Sequence, residues 1–89
     1  MTVLRVTVRG RVQGVGFRWH AQLRARQLGV MGWVRNTSSG LVEVHLEGQQ
    51  EAVESLLDWL AVGPPSAHVT GLEVVSAEPI QAQSFQVLS

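Results

Sequence analysis

The stretch VLRVTVRGRVQGVGFRWHAQL, residues 3–23, passes from one structural period to another with three glycines between them. Over residues 3–9, Leu4, Val6 and Val8 fall on one side and Arg5, Thr7 and Arg9 on the other. That period of two is the pattern of a strand with one face buried and one wet. From residue 17 to 28 the spacing becomes helical, with Phe17, Ala21, Ala25 and Leu28 on one stripe, and Gly29 stands where a helix ends. Trp19 and Leu23 fall off that stripe and are expected to cover the helix flank. The segment therefore reads as strand, glycine-rich turn, helix.

The rest of the chain continues the alternation of element types. Residues 30–36 read as a second strand, TSSG (37–40) as a tight turn and LVEVHLE (41–47) as a third strand, so the last two form an antiparallel hairpin. In the third strand Val42, Val44 and Leu46 are expected inward, with Glu43, His45 and Glu47 outward. Residues 49–61 carry Val53, Leu56, Leu57 and Leu60 at helical spacing, and GPP (63–65) stops that helix because proline cannot continue it. Weaker strands are expected around 69–77 and 84–88, separated by a polar, proline-containing segment. The order is β-α-β-β-α-β with a small final strand. It predicts an α+β fold, a two-layer α/β sandwich, with an antiparallel sheet and two helices on one face, as a single domain over residues 1–89.

Composition narrows the function classes. A 45% hydrophobic content is that of a folded core, not of a disordered chain. With no cysteine, disulfides, thiolate nucleophiles and cysteine-held metals are excluded. No apolar run reaches the roughly 20 residues of a membrane span and no leader is visible, so a cytoplasmic protein acting without a membrane is expected. Seven basic and seven acidic residues cancel, which argues against a nucleic-acid binder relying on bulk charge. Every basic residue is arginine, and Arg5, Arg9, Arg11 and Arg18 crowd the beginning while the acids lie from Glu43 to Glu78. Positive potential is thus expected beside the glycine turn.

A glycine-rich turn that leaves a strand and opens a helix aims several backbone N–H groups at one spot, where the helix N-terminus adds partial positive charge. Arg18 sits in the first helical turn, against the preference of the dipole, and its planar fork suits a phosphate. The loop and Arg18 therefore read as a phosphate cradle, or on the glycines alone as a steric turn. A nucleotide P-loop would need lysine and serine or threonine where Phe17 and Arg18 stand, and the dinucleotide fingerprint would need glycine at Trp19. His20 reads as a partly buried helix residue. His45 is expected to pair across strands at the surface, and His68 has no ligand partner at useful spacing, so no metal site is expected.

GRVQGVGFR at 10–18, GWVRNTSSGLVEV at 32–44 and GPPSAHV at 63–69 resemble the acylphosphatase family over essentially the whole chain. The resemblance implies a ferredoxin-like fold and hydrolysis of acyl phosphates to carboxylate and inorganic phosphate. The family's catalytic arginine matches Arg18, and its catalytic asparagine matches Asn36, the one asparagine of the chain. The phosphate-binding loop then comprises Gln13, Gly14, Val15, Gly16 and Phe17. No metal or cofactor is implied; the partner is a small-molecule acyl phosphate and a monomer is expected. The chemistry is consistent with this set, because a carboxylate leaving group with a conjugate-acid pKa of about 4 needs no general acid. Two other classes fit the sequence less well. An RNA-recognition module would need aromatics where Arg5, Thr7, Arg9, Glu43, His45 and Glu47 stand. A domain binding phosphate without turnover, or the acylphosphatase-like part of a hydrogenase-maturation carbamoyltransferase, shares the motif; the chain ending after its last strand favours the stand-alone enzyme.

Overall fold

In the computed structural model, which describes residues 1–88, strand β1 (Thr2–Arg11) pairs antiparallel with β3 (Val42–Gly48) on one side and with β4 (His68–Ser76) on the other. Strand β2 (Met31–Asn36) continues antiparallel beyond β3, and the short β5 (Phe85–Val87) closes the sheet in the order β4-β1-β3-β2-β5. Because β5 runs parallel to β2, the sheet is mixed, antiparallel across four strands rather than throughout. Helices α1 (Phe17–Leu28) and α2 (Gln50–Leu60) lie on one face, as the period of the strands requires. No helix is long and apolar enough to cross a membrane among the described residues.

The core is the set of residues that alternate inward. Val6 and Val8 of β1, Val34 of β2, and Val42, Val44 and Leu46 of β3 meet Phe17, Ala21 and Ala25 of α1 and Val53, Leu56 and Leu60 of α2. The small alanine stripe lets α1 sit close to the sheet, and truncating one of the buried leucines to alanine costs about 2–5 kcal/mol. The edge pairing of β1 with β4 carries a bulge between Arg9 and Gly10, where the backbones approach so closely that a Cβ on Gly10 would lie 2.1 Å from the His68 carbonyl oxygen.

Two expectations are corrected. Trp19 and Leu23 do not cover the helix flank but stand 60% and 45% exposed, because their positions face away from the sheet. His45 and Glu47 do project to the sheet's second face, yet they are fully buried there rather than paired at the surface. The cause is topological. Strands β4 and β5 occupy opposite edges, so residues 77–84 must cross the whole sheet, four strand spacings or roughly 19 Å. Eight extended residues span this distance, and the crossing segment roofs His45 and Glu47.

Glu47 ties the crossing segment down. It accepts from the Ile80 N–H at 2.6 Å, the Ala82 N–H at 3.3 Å and His45 Nε2 at 2.6 Å. His45 Nδ1 accepts from Arg5 Nε at 3.1 Å, which fixes the neutral tautomer with its proton on Nε2. Trp33 stacks on the imidazole, 5.9 Å between centroids, under the Arg5 and Arg35 guanidinium groups. Burial by itself would raise the Glu47 pKa; the hydrogen bonds from Ile80, His45 and Ala82 outweigh it and hold the carboxyl below its ordinary value.

Candidate active site

Three chain segments converge at one end of the sheet: the loop leaving β1, the first turn of α1 and the end of β2. Asn36 shares its strand parity with the core residue Val34, so its side chain enters the layer between sheet and helices, on the side where α1 begins. Gly14, Gly16, Phe17, Arg18 and Asn36 line a common cavity of about 330 Å³, together with Val12, Trp19, Gln22 and Val87.

The loop is built to leave donors free. Gly16 is the N-cap of α1 at φ 76°, a left-handed conformation that costs glycine nothing, and no side chain caps the helix. The first turn contains no acidic residue to offset the dipole. Among the described residues, the backbone N–H groups of residues 13–17 donate to no protein acceptor. A helix N-terminus with unfilled donors, beside Arg18, is a positively polarised concavity suited to an anion.

Arg18 has no carboxylate partner among the described residues, unlike Arg9 with Glu73 and Arg35 with Glu43. Its single side-chain hydrogen bond among the described residues is a 3.4 Å bond from Nη1 to the Leu88 carbonyl, which leaves most of its five N–H donors unused there. Asn36 Oδ1 is a buried acceptor with no partner, the one orphan of its kind among the described residues. Such a group costs about 1–3 kcal/mol unless a donor reaches it from the cavity.

Two ties hold the loop against its neighbours. Gln13, expected in the phosphate-binding loop, turns its side chain away and donates both amide hydrogens, to the Thr37 and Leu41 carbonyls at 2.8 Å each. That stitches the loop to the turn following Asn36. On the other flank the Ser66 hydroxyl donates to the Val15 carbonyl at 3.0 Å, so the GPPSA segment also positions the loop. His20 Nδ1 lies 2.8 Å from the Gly16 carbonyl, which can only accept, so this nitrogen carries the proton; the residue is partly buried, as expected from its sequence position.

A family model described as Acylphosphatase matches residues 4–87. The chain belongs to the acylphosphatase family. An acylphosphatase of Thermococcus kodakarensis is 53% identical over 79 residues, covering 89% of this chain and 87% of the relative. The crystal structure of acylphosphatase from Bacillus subtilis superposes with a TM-score of 0.95 at 36% identity, covering all of both chains, and carries the same ferredoxin-like arrangement. Full-length HypF in its phosphate- and nucleotide-bound form matches with a TM-score of 0.90 at 28% identity, over 99% of this chain and 12% of that much longer one.

Of the residues singled out in sequence, Gly14, Gly16, Phe17, Arg18 and Asn36 come together on the cavity. Gln13 and Val15 instead hold the loop through a side-chain amide and a backbone carbonyl. Val12, Trp19, Gln22 and Val87 line the same cavity, although the sequence did not mark them as part of a site. For Trp19 the signal was present, since it follows Arg18 and lies off the buried stripe; for Val87, brought in by the parallel pairing of β5, there was none.

Proposed function

We propose that this chain, a hydrolase of the acylphosphatase family acting on acyl phosphates, binds the phosphoryl group in the loop at 13–17 and on Arg18, and orients the attacking water with Asn36. The observation that carries the reading is the orphaned Asn36 Oδ1, the buried acceptor of a residue that lines the same cavity as an arginine without a counter-ion among the described residues. A water donating to Oδ1 satisfies that atom and points a lone pair at phosphorus.

The reaction joins the water oxygen to phosphorus while the bond from phosphorus to the acyl oxygen breaks. The electron pair of that bond leaves on the carboxylate, and the water proton passes to a phosphoryl oxygen. Negative charge on the three equatorial oxygens of a loose transition state meets the Arg18 fork and the free loop N–H groups. The leaving carboxylate is stable without protonation, so the site has no need of an acid. A carboxylate placed beside the phosphoryl oxygens would oppose them, and the cavity lining contains none among the described residues. The form this reading takes is a monomer acting on a small molecule in the cytoplasm.

The test is hydrolysis of benzoyl phosphate at neutral pH by protein treated with EDTA. Turnover above the buffer rate, lost in Arg18→Ala, is the expected result. Phosphate binding without turnover would reassign the site as a binding module.

A further inference from the structure

The cavity is larger than a phosphoryl group needs. One water needs on the order of 10–15 Å³ of such space, so phosphate and an attacking water leave much of the 330 Å³ unfilled. The lining beyond Gly14, Gly16, Arg18 and Asn36 is Trp19, Gln22 and Val87, with Val12 and Phe17 behind. Trp19 is 60% exposed and Val87 38% exposed, although both border the site. Single exposed apolar side chains are ordinary, but these two flank one opening from different elements, α1 and β5.

Neither is loosely held. The His20 ring meets the Trp19 indole edge-on at 5.1 Å and is itself bonded to the Gly16 carbonyl of the loop. Val87 is set by the pairing of β5 with β2, and Gln22 donates to the Phe85 carbonyl of the same strand. An in-line displacement puts water and leaving group on opposite sides of phosphorus. With the water at Asn36, the acyl group occupies the part of the cavity that Asn36 does not line.

We propose that Trp19 and Val87 form an acyl-binding wall that makes this enzyme selective for aromatic acyl phosphates over acetyl phosphate. The inference rests on the placement of phosphate and water given above, and goes beyond it by naming the substrate class. A flat acyl group stacks on the indole and covers Val87, whereas a methyl group reaches neither. Stacking of this kind corresponds to a factor of about 3–10 in binding.

The experiment compares kcat/KM for benzoyl phosphate and acetyl phosphate in the wild type, Trp19→Ala and Trp19→Phe. The wild type is expected to favour benzoyl phosphate, and Trp19→Ala to lower the benzoyl-to-acetyl ratio by about 3–10-fold through KM. Trp19→Phe, which keeps an aromatic face, should retain most of the preference. A ratio unchanged in Trp19→Ala, or an equal loss on both substrates, overturns the wall and leaves Trp19 as a prop for the loop. A wild type that turns over neither substrate overturns the reading of the site itself, and the wall with it; acetyl phosphate turnover separates the two failures.

Discussion

Replacing Glu47 tests how the crossing segment is held, and the structure sets the size of the effect. The carboxylate accepts from Ile80 N–H, Ala82 N–H and His45 Nε2 while almost wholly out of water. In Glu47→Gln one oxygen survives as an acceptor, but the other becomes an amide NH₂ that faces a backbone donor. Losing a charged acceptor and stranding a donor costs about 2–4 kcal/mol. A protein of 89 residues has a total stability of roughly 4–13 kcal/mol, so the loss is a large fraction of it. Urea unfolding followed by tryptophan fluorescence measures it at neutral pH. The pH dependence has a definite sign. The folded pKa of Glu47 lies below its ordinary value of 4.5, so its contribution is present above that value and is lost as pH falls toward the folded pKa. Glutamine does not titrate, so the gap between wild type and variant narrows on acidification. A gap under about 0.5 kcal/mol at pH 7, the range of an ordinary surface substitution, would refute the tie. So would a gap of the same size at pH 7 and at about pH 3.

Arg18→Ala should lower kcat/KM for benzoyl phosphate by about 10³-fold or more, as for other transition-state arginines. Its urea midpoint should stay close to wild type, because the side chain makes one long, exposed bond. Asn36→Ala should lower kcat on the order of 10²–10³-fold while relieving the orphaned acceptor, so its stability should hold or rise; near wild-type kcat in a folded variant would remove Asn36 from the mechanism. Gln13→Leu cuts the two bonds joining the loop to the turn after Asn36, and should cost on the order of 10–100-fold in kcat by misplacing the two halves of the site. Inorganic phosphate should inhibit competitively and raise Tm in the wild type but not in Arg18→Ala, since a ligand of the folded state stabilises it by mass action; a purely non-competitive pattern would move the anion site elsewhere.

The elements and the inward faces were readable because each is a local pattern. Val6, Val8, Val42, Val44 and Leu46 alternate, and the alanine stripe of α1 recurs at helical spacing, so their burial follows from period alone. The side taken by Asn36 is readable in the same way, from its parity with Val34. The direction of β5 was not, since three residues pair too briefly to mark themselves as parallel. Residues 77–84 show no hydrophobic period, and their hold on Glu47 is made by backbone N–H groups that carry no sequence signal. His45 and Glu47 therefore read as surface residues.

What the sequence by itself determined is the order of strands and helices and the glycine-rich turn, followed by Arg18, that joins β1 to α1. These depend on side-chain period, on glycine and on one arginine placed against a helix dipole, all within a few residues of one another. What only the tertiary structure decided is which groups remain unpaired. Among the described residues, Arg18 without a counter-ion, Asn36 Oδ1 without a donor, Gln13 spent on the neighbouring turn and Trp19 left open beside the cavity all depend on contacts between segments far apart in the chain. Whether a polar group is satisfied or still available is set by its partners in space, and local sequence carries no record of them.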